Sequence, residues 1–178
     1  MTQKIEEFLN IETSRRNTDL IADLIYQKPE LFDELAAIYL RNEEPVSRRA
    51  AWVVDTVSEK LPELLSPYLS VIVEKLPYVS HDGLKRHSLR MLSRSPLPAG
   101  YLGPLINICF SWLTSAGESV AVKVYCMEIL YRIAQSETEL KKELADSIEL
   151  RMHEETAGFR NRGMKILKKL YKEMKFQN

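Results

Sequence analysis

Apolar residues recur at intervals of three and four along most of the 178-residue sequence, and alternation with a period of two is nearly absent. That spacing places apolar side chains on one face of an α-helix. Clear stripes are formed by Ala50, Val53, Val54 and Val57 and, further along, by Val122, Met127, Leu130, Ile133 and Ala134. The pattern therefore predicts an all-α fold.

Proline, glycine and polar capping residues interrupt these stripes at steady intervals and mark the ends of the predicted helices. Pro45 suits a first helical turn, where its missing N–H is not needed. The segment Ser80–Asp82 suits a helix cap, and Ser95–Gly100 is the clearest loop. The helices are predicted at about 5–9, 17–27, 29–40, 46–60, 62–76, 83–94, 101–113, 118–135, 137–152 and 157–174.

The helices repeat along the chain. A shift of about 38 residues places Leu84 over Val122 and Met91 over Ile129, and a further shift of about 37 places Phe159 on Val122. A period of this length with two helices in each unit is typical of helical solenoids. We therefore expect a right-handed α-solenoid of about five helix pairs. It is predicted as a single repeat domain over residues 1–178, with an N-terminal cap at 1–17 and repeats at 18–174.

The segment from Glu44 to Val53 resembles the start of the second helix of a HEAT repeat, with an acidic residue and a proline, then arginine and small residues, then an aliphatic stripe. Gly83–Ser88 and Phe159–Met164 are weaker versions of it. The resemblance to HEAT/armadillo-like repeats covers roughly Thr18 to Tyr171. It implies a scaffold that binds a protein or peptide partner through a concave face, which the second helices of such repeats line.

Charge is distributed unevenly, although the formal net charge is zero. The second helices of the predicted pairs have an excess of lysine and arginine, and the first helices have an excess of acidic residues. One interpretation is a basic groove for nucleic acid or an acidic peptide. The other is a set of ion pairs between neighbouring repeats, such as arginine with Asp55 or Glu128. The candidate binding residues are Arg48, Arg49, Lys85, Arg86, Arg90, Arg94, Lys123, Arg132, Arg160 and Arg162.

The basic bias and the repeats also make the chain distantly similar to the bacterial HEAT-like DNA-alkylation-repair glycosylases. Their chemistry depends on an aspartate near tryptophans in a DNA-binding groove. Only Asp55 and Trp52, three positions apart, match that arrangement, and the family's spacing and accompanying aromatic residues are not reproduced. The resemblance makes nucleic-acid binding the alternative function and leaves these two residues as the only catalytic candidates in a chain otherwise predicted not to be an enzyme.

Other chemistry has little support in the sequence. No nucleotide-binding or hydrolase motif occurs, no histidine or cysteine has metal-ligand spacing, and no apolar run reaches membrane-spanning length. We therefore expect no cofactor, metal or membrane partner. Cys109 and Cys126 are predicted to be buried free thiols in a cytoplasmic protein. Core packing is the expected role of the aromatic residues Trp52, Phe110, Trp112, Tyr125 and Tyr131. The pair Glu154–Glu155 is expected to be solvated, and His87, with no carboxylate beside it in the sequence, to lie on the surface or between repeats.

Overall fold

The computed structural model describes residues 3–176, with side chains from residue 5 onward, and every regular element in that part of the chain is a helix. The all-α prediction is therefore confirmed. Within the same residues no helix is both long enough and apolar enough to cross a lipid bilayer. The α-helices are α1 (Gln3–Ile11), α2 (Arg15–Gln27), α3 (Phe32–Leu40), α4 (Val46–Lys60), α5 (Pro62–Leu65), α6 (Leu69–Lys75), α7 (Asp82–Arg94), α8 (Leu102–Thr114), α9 (Val120–Ile133), α10 (Leu140–Arg151) and α11 (Ala157–Lys175).

Proline accounts for the main differences from the predicted helices. The single helix predicted over 62–76 is wrong, because a 3₁₀ turn at Ser66–Tyr68 separates α5 from α6. Pro67 lies in that turn and has no N–H to continue the α-helical bonding. Pro29 likewise begins a 3₁₀ turn before α3. Pro45 directly precedes the first residue of α4 instead of lying within its first turn.

The helix predicted to begin at Gly83 begins one residue earlier, at Asp82, and its cap comes from a histidine. The backbone N–H of Gly83 donates a hydrogen bond to Nδ1 of His81, over 3.0 Å. The sequence indicated a capping segment at Ser80–Asp82, and the middle residue of that segment provides the acceptor. The bond holds the His81 ring against the first turn of α7.

The chain divides into two compact units, Met1–Pro98 and Ala99–Asn178, and the boundary falls in the predicted loop at Ser95–Gly100. In the first unit α1 packs with α2, and α3 packs with α4. Helix α4 also contacts α2 on one side and α7 on the other, so that α2, α4 and α7 follow one another as second helices. We call this series the second-helix row of the first unit.

Helix α4 is the centre of the first unit. Its neighbours α2, α3 and α7 cover it, and Ala50, Ala51, Val54 and Val57 have no exposed surface. The two alanines allow close approach of the neighbouring helices. Burial on several sides explains why apolar and small residues occupy most of α4 and why its few charged residues have special positions.

In the second unit α8 packs with α9, and α10 packs with α11. Helices α9 and α11 are also in contact, and they form the second-helix row of this unit. Cys109 and Cys126 are free and buried, as predicted. The prediction of one repeat domain over residues 1–178, with a cap at 1–17, stays a prediction, and its first and last residues lie outside the described residues.

Close packing of α10 and α11 depends on Gly163. A Cβ atom at this position would lie 2.9 Å from Cγ2 of Ile148 and 3.1 Å from Sδ of Met152. Gly103 in α8 provides a contrast, because nothing lies within 4 Å of a Cβ atom placed there.

We expect Gly163→Ala to lower the free energy of unfolding by about 1–3 kcal/mol, because the added methyl group overpacks the contact between α10 and α11. The matched substitution Gly103→Ala should change it by no more than about 0.5 kcal/mol. Urea unfolding followed by circular dichroism measures both. Equal effects of the two substitutions would contradict the packing described here.

Candidate functional site

A buried carboxylate joins two helices of the second-helix row in the first unit. Asp55 lies on α4 and is 0% exposed. Its Oδ2 accepts hydrogen bonds from Nδ1 of His87 at 2.8 Å and from Nη1 of Arg90 at 2.7 Å. Its Oδ1 accepts one from Nη1 of Arg94 at 2.6 Å. All three donors lie on α7, so this one side chain ties α4 to the next repeat.

The arginines extend the connection beyond the carboxylate. Nη2 of Arg94 donates to the backbone oxygen of Asp55 at 2.6 Å and to Oγ of Ser58 at 2.8 Å. Arg90 also forms an ion pair with Glu59 at the end of α4. Each guanidinium group therefore binds two residues of α4. These contacts hold the two guanidinium groups in place and also hold α7 against α4.

The environment of Asp55 stabilises its ionised form. Burial by itself raises the pKa of the carboxyl group, but the hydrogen bonds from His87, Arg90 and Arg94 and the charge of Arg94 outweigh burial. The net effect lowers the pKa of Asp55 below its ordinary value of 3.8. An ionised carboxylate only accepts hydrogen bonds, so Nδ1 of His87 bears the hydrogen in this contact.

A comparable buried pair lies in the second unit. Lys123 on α9 is 2% exposed, and its Nζ lies 2.5 Å from Oε1 of Glu155, in the turn before α11. Nη2 of Arg151 donates to the same oxygen at 3.1 Å. Burial raises the pKa of Glu155, but the bonds from Lys123 and Arg151 outweigh it and lower the pKa. The expectation that Glu155 is solvated is therefore wrong. Its side chain is buried, and Lys123 compensates its charge there.

Glu173 on α11 provides another connection in the second unit. It accepts a hydrogen bond from the hydroxyl of Tyr131 on α9 at 2.6 Å, and Nζ of Lys141 on α10 lies 3.1 Å from its second oxygen. Arg162 on α11 also forms an ion pair with Glu128 on α9. The sequence interpretation named Asp55 and Glu128 as partners for arginine, and both are found in ion pairs.

Most of the predicted binding residues therefore already have partners. Arg90, Arg94, Lys123 and Arg162 are in the contacts just described. Arg160 donates to the backbone oxygen of Glu155 at 2.7 Å, Arg48 pairs with Glu44 at 3.2 Å, and Arg49 donates to the backbone oxygen of Leu9 at 3.1 Å. Lys85 and Arg132 also have interactions. Arg86 is exposed and, among the described residues, has no ion pair or hydrogen bond through its side chain.

The structure gathers Arg48, Arg49 and Arg86 around one cleft. The cleft has a volume of about 280 Å³ and lies where α4 faces the start of α7. Trp52 and His87 also line it, with their rings stacked at a centroid distance of 6.3 Å and an angle of 23°. Trp52 is only half-buried, and so are Phe110, Tyr125 and Tyr131. The prediction of core packing is confirmed for Trp112, which is 7% exposed, whereas the other four are packed against the core with part of their surface accessible.

His87 lies between repeats, which is one of the two positions expected for it, but the sequence analysis missed its contact with a carboxylate. No carboxylate is near it in the sequence, but Asp55 precedes it by 32 positions and α4 packs beside α7. The separation of Asp55 and His87 in the sequence is close to the length of one repeat, and this spacing was the signal that could have indicated their contact. His87 now joins the buried carboxylate to the wall of the cleft. The candidate site therefore consists of a cleft with arginine and tryptophan in its walls, supported from beneath by the contacts of Asp55.

Comparison with known proteins gives one match. A family model described as a HEAT repeat domain matches residues 5–170. Searches of curated proteins and of solved structures returned no match. The resemblance to the DNA-alkylation-repair proteins therefore stays a prediction. No cluster of three or more histidine, cysteine or acidic residues that would hold a metal ion occurs within the described part of the chain.

The lowered pKa of Asp55 predicts how its contribution to stability depends on pH. Asp55→Asn should lower the free energy of unfolding at pH 7 by about 1.5–3 kcal/mol, the usual value of hydrogen bonds to a charged group. The stabilisation by Asp55 is fully present above its unfolded pKa, near 3.8, and is lost as the pH falls towards the lower folded pKa. Urea unfolding at several pH values measures the difference between the two proteins.

Because both proteins share every other carboxylate, their difference isolates Asp55. The difference should shrink as the pH falls below about 4, where Asp55 becomes protonated. Asp146→Asn is the control, since its pair with Lys142 is on the surface and should leave stability unchanged. A difference that grows as the pH falls below about 4 would show that Asp55 is not held in its ionised form.

Proposed function

Because the chain belongs to the HEAT repeat family, we propose that it is a non-catalytic scaffold that binds a protein or peptide partner through its second-helix rows. Solenoid proteins of this kind use the surface of stacked repeats for binding. The residues that we assign to the contact are those of the cleft in the first unit. The location of the protein in the cytoplasm stays a prediction. The free thiols of Cys109 and Cys126 suit a reducing compartment.

The observation that carries this proposal is the half-buried Trp52 beside Arg86, which has no partner in the described part of the chain. Tryptophan and arginine are enriched among the residues that contribute most to protein–protein binding. Both line the same cleft. The stacking of Trp52 on His87 and the bond from His87 to Asp55 hold the aromatic wall in place. A wall that is already ordered loses little conformational entropy when a partner binds.

The contacts of Asp55 support a structural role for this residue instead of a catalytic one. Both of its side-chain oxygens accept bonds from α7, and the side chain has no exposed surface. A general base must come within hydrogen-bond distance of its substrate. Access to Asp55 would require separation of Arg90 and Arg94 from α4.

The charges favour a protein partner over nucleic acid. Binding to a phosphate backbone depends on several lysines and arginines that neutralise successive phosphates. Arg90, Arg94, Lys123 and Arg162 are neutralised by acidic residues of the protein itself. Such contacts remove these four cations from those that could neutralise a phosphate backbone.

Site-specific photo-cross-linking tests the proposal. A photo-reactive residue in place of Thr13, which is exposed at the edge of the cleft, should capture a specific protein in cells. The same residue in place of the exposed Lys168 on α11 should not capture it. The captured protein is then purified and titrated against the native chain, Arg86→Glu and Lys168→Glu. We expect Arg86→Glu to weaken binding at least about tenfold, as loss of a hot-spot residue does, and Lys168→Glu to leave it unchanged.

Equal binding by all three chains would contradict the assignment of the cleft. A second titration uses a labelled DNA duplex at low salt. Binding that weakens steeply with added salt and is lost in Arg86→Glu would support the nucleic-acid alternative and contradict the proposed scaffold. The expected result is no salt-dependent binding of the duplex.

A further inference from the structure

The cleft in the first unit has features that select the chemistry of its ligand. Arg86 projects from α7 without a partner among the described residues, and Arg48 is bound only through a pair with Glu44 in which both side chains are about one-third exposed. Pairs of this kind contribute little to stability and exchange readily with other ligands. Two guanidinium groups are therefore accessible for a new acceptor.

Arg49 adds an unsatisfied donor. Its Nη1 donates to the backbone oxygen of Leu9, but its Nε is buried and has no acceptor among the described residues. A buried donor without an acceptor is costly, by about 1–3 kcal/mol in typical proteins. Arg49 lines the cleft, and its positive charge favours an anionic guest.

The size of the cleft limits the guest to a small group. Its volume of about 280 Å³ is less than the roughly 300–1,000 Å³ of clefts that hold drug-sized ligands. One or two side chains of a peptide fit this space. The acidic side chains of Asp82 and Glu44 lie at the cleft and disfavour a highly charged guest. A single carboxylate matches the small excess of positive charge better than a phosphate with nearly two charges does.

Trp52 adds a requirement for an apolar neighbour. Its half-exposed indole forms a wall of the cleft beside the arginines. Aromatic side chains prefer to pack against other aromatic or apolar groups. We infer that the cleft binds the carboxylate of an acidic residue in a peptide segment of the partner, with an adjacent aromatic or aliphatic residue against Trp52. The planar guanidinium group of Arg86 donates two parallel hydrogen bonds to the two oxygens of the carboxylate.

This inference rests on the proposed function, but its test needs no partner. The probe is the blocked dipeptide N-acetyl-Glu-Phe amide, titrated to millimolar concentration into the ¹⁵N-labelled full-length chain. The chain has two tryptophans, and Trp112 lies in the second unit and is buried. The indole N–H signal of Trp52 should therefore shift in a saturable way, while that of Trp112 remains in place.

Variants identify the charge that is responsible. Arg86→Gln should lower the affinity for the dipeptide about tenfold, because it removes a charged hydrogen-bonding partner. Arg86→Lys keeps the charge and should recover part of that affinity. Arg16→Gln is the matched control, since Arg16 is an exposed arginine of the same unit that does not line this cleft. It should bind the dipeptide as the native chain does. Native-like backbone amide signals of residues in the first unit confirm for each variant that the fold around the cleft is intact.

Changes in the probe test the specificity. The dipeptide with Gln in place of Glu should cause no saturable shift, and the one with phosphoserine should bind more weakly than the one with Glu. Equal shifts by the Glu and Gln probes, tighter binding of the phosphoserine probe, or unchanged affinity in Arg86→Gln would each overturn the inference.

Failure of this inference and failure of the proposed function are distinguishable. A captured partner whose binding depends on Arg86, together with a dipeptide that does not bind, would leave the scaffold function in place and reject the carboxylate as the ligand. Saturable binding of the dipeptide without any captured partner would support the carboxylate site and contradict the proposed function.

Discussion

The first unit depends on one buried charge, the carboxylate of Asp55. Transfer of a charge from water into the core is costly, and an isolated buried carboxylate would become protonated or would move to the solvent. Here α7 provides a histidine and two arginines within 2.8 Å. The requirement to compensate Asp55 therefore fixes where α7 lies against α4. In the second unit Glu155 imposes the same constraint, with Lys123 as its buried partner.

This constraint explains the basic character of the second helices. Residues that neutralise a carboxylate in the neighbouring repeat must be lysine, arginine or histidine, so repeats that pair in this way become rich in cations. Part of the excess of positive charge therefore reflects contacts between repeats, and those cations are less available for a ligand. Among the described residues of the first unit, Arg86 is a cation outside such contacts, and it lies beside Trp52 in the cleft.

The sequence predicted most of the fold because helix formation here is a local matter. Apolar stripes and proline positions place α4 within its observed bounds and α7 within one residue. The break between α5 and α6 was missed because Pro67 lies inside a continuous apolar stripe, and the stripe alone indicated one helix. The HEAT repeat itself was recognisable from Glu44–Val53, which includes the start of α4, and the family match over residues 5–170 confirms it.

The site was less predictable, because it depends on contacts between residues that are a repeat apart. The sequence named Asp55 and Glu128 as ion-pair partners but did not identify which arginines reach them. It also did not show that Glu155 enters the core, since the paired acidic residues at 154 and 155 are indistinguishable without the position of Lys123. The exposure of Trp52 depends on how α7 packs against α4. Helical spacing places it beside an apolar stripe, and that position is compatible with either a core or a cleft.

A double-mutant cycle on Asp55 and Arg94 measures the central constraint most directly. The free energies of unfolding of the native chain, Asp55→Ala, Arg94→Ala and the double variant give the coupling energy between the two side chains. We predict a coupling of at least about 1 kcal/mol, as found for residues in one hydrogen-bond network. Effects that add to within about 0.5 kcal/mol would contradict the claim that a charge buried in α4 holds the next repeat in place.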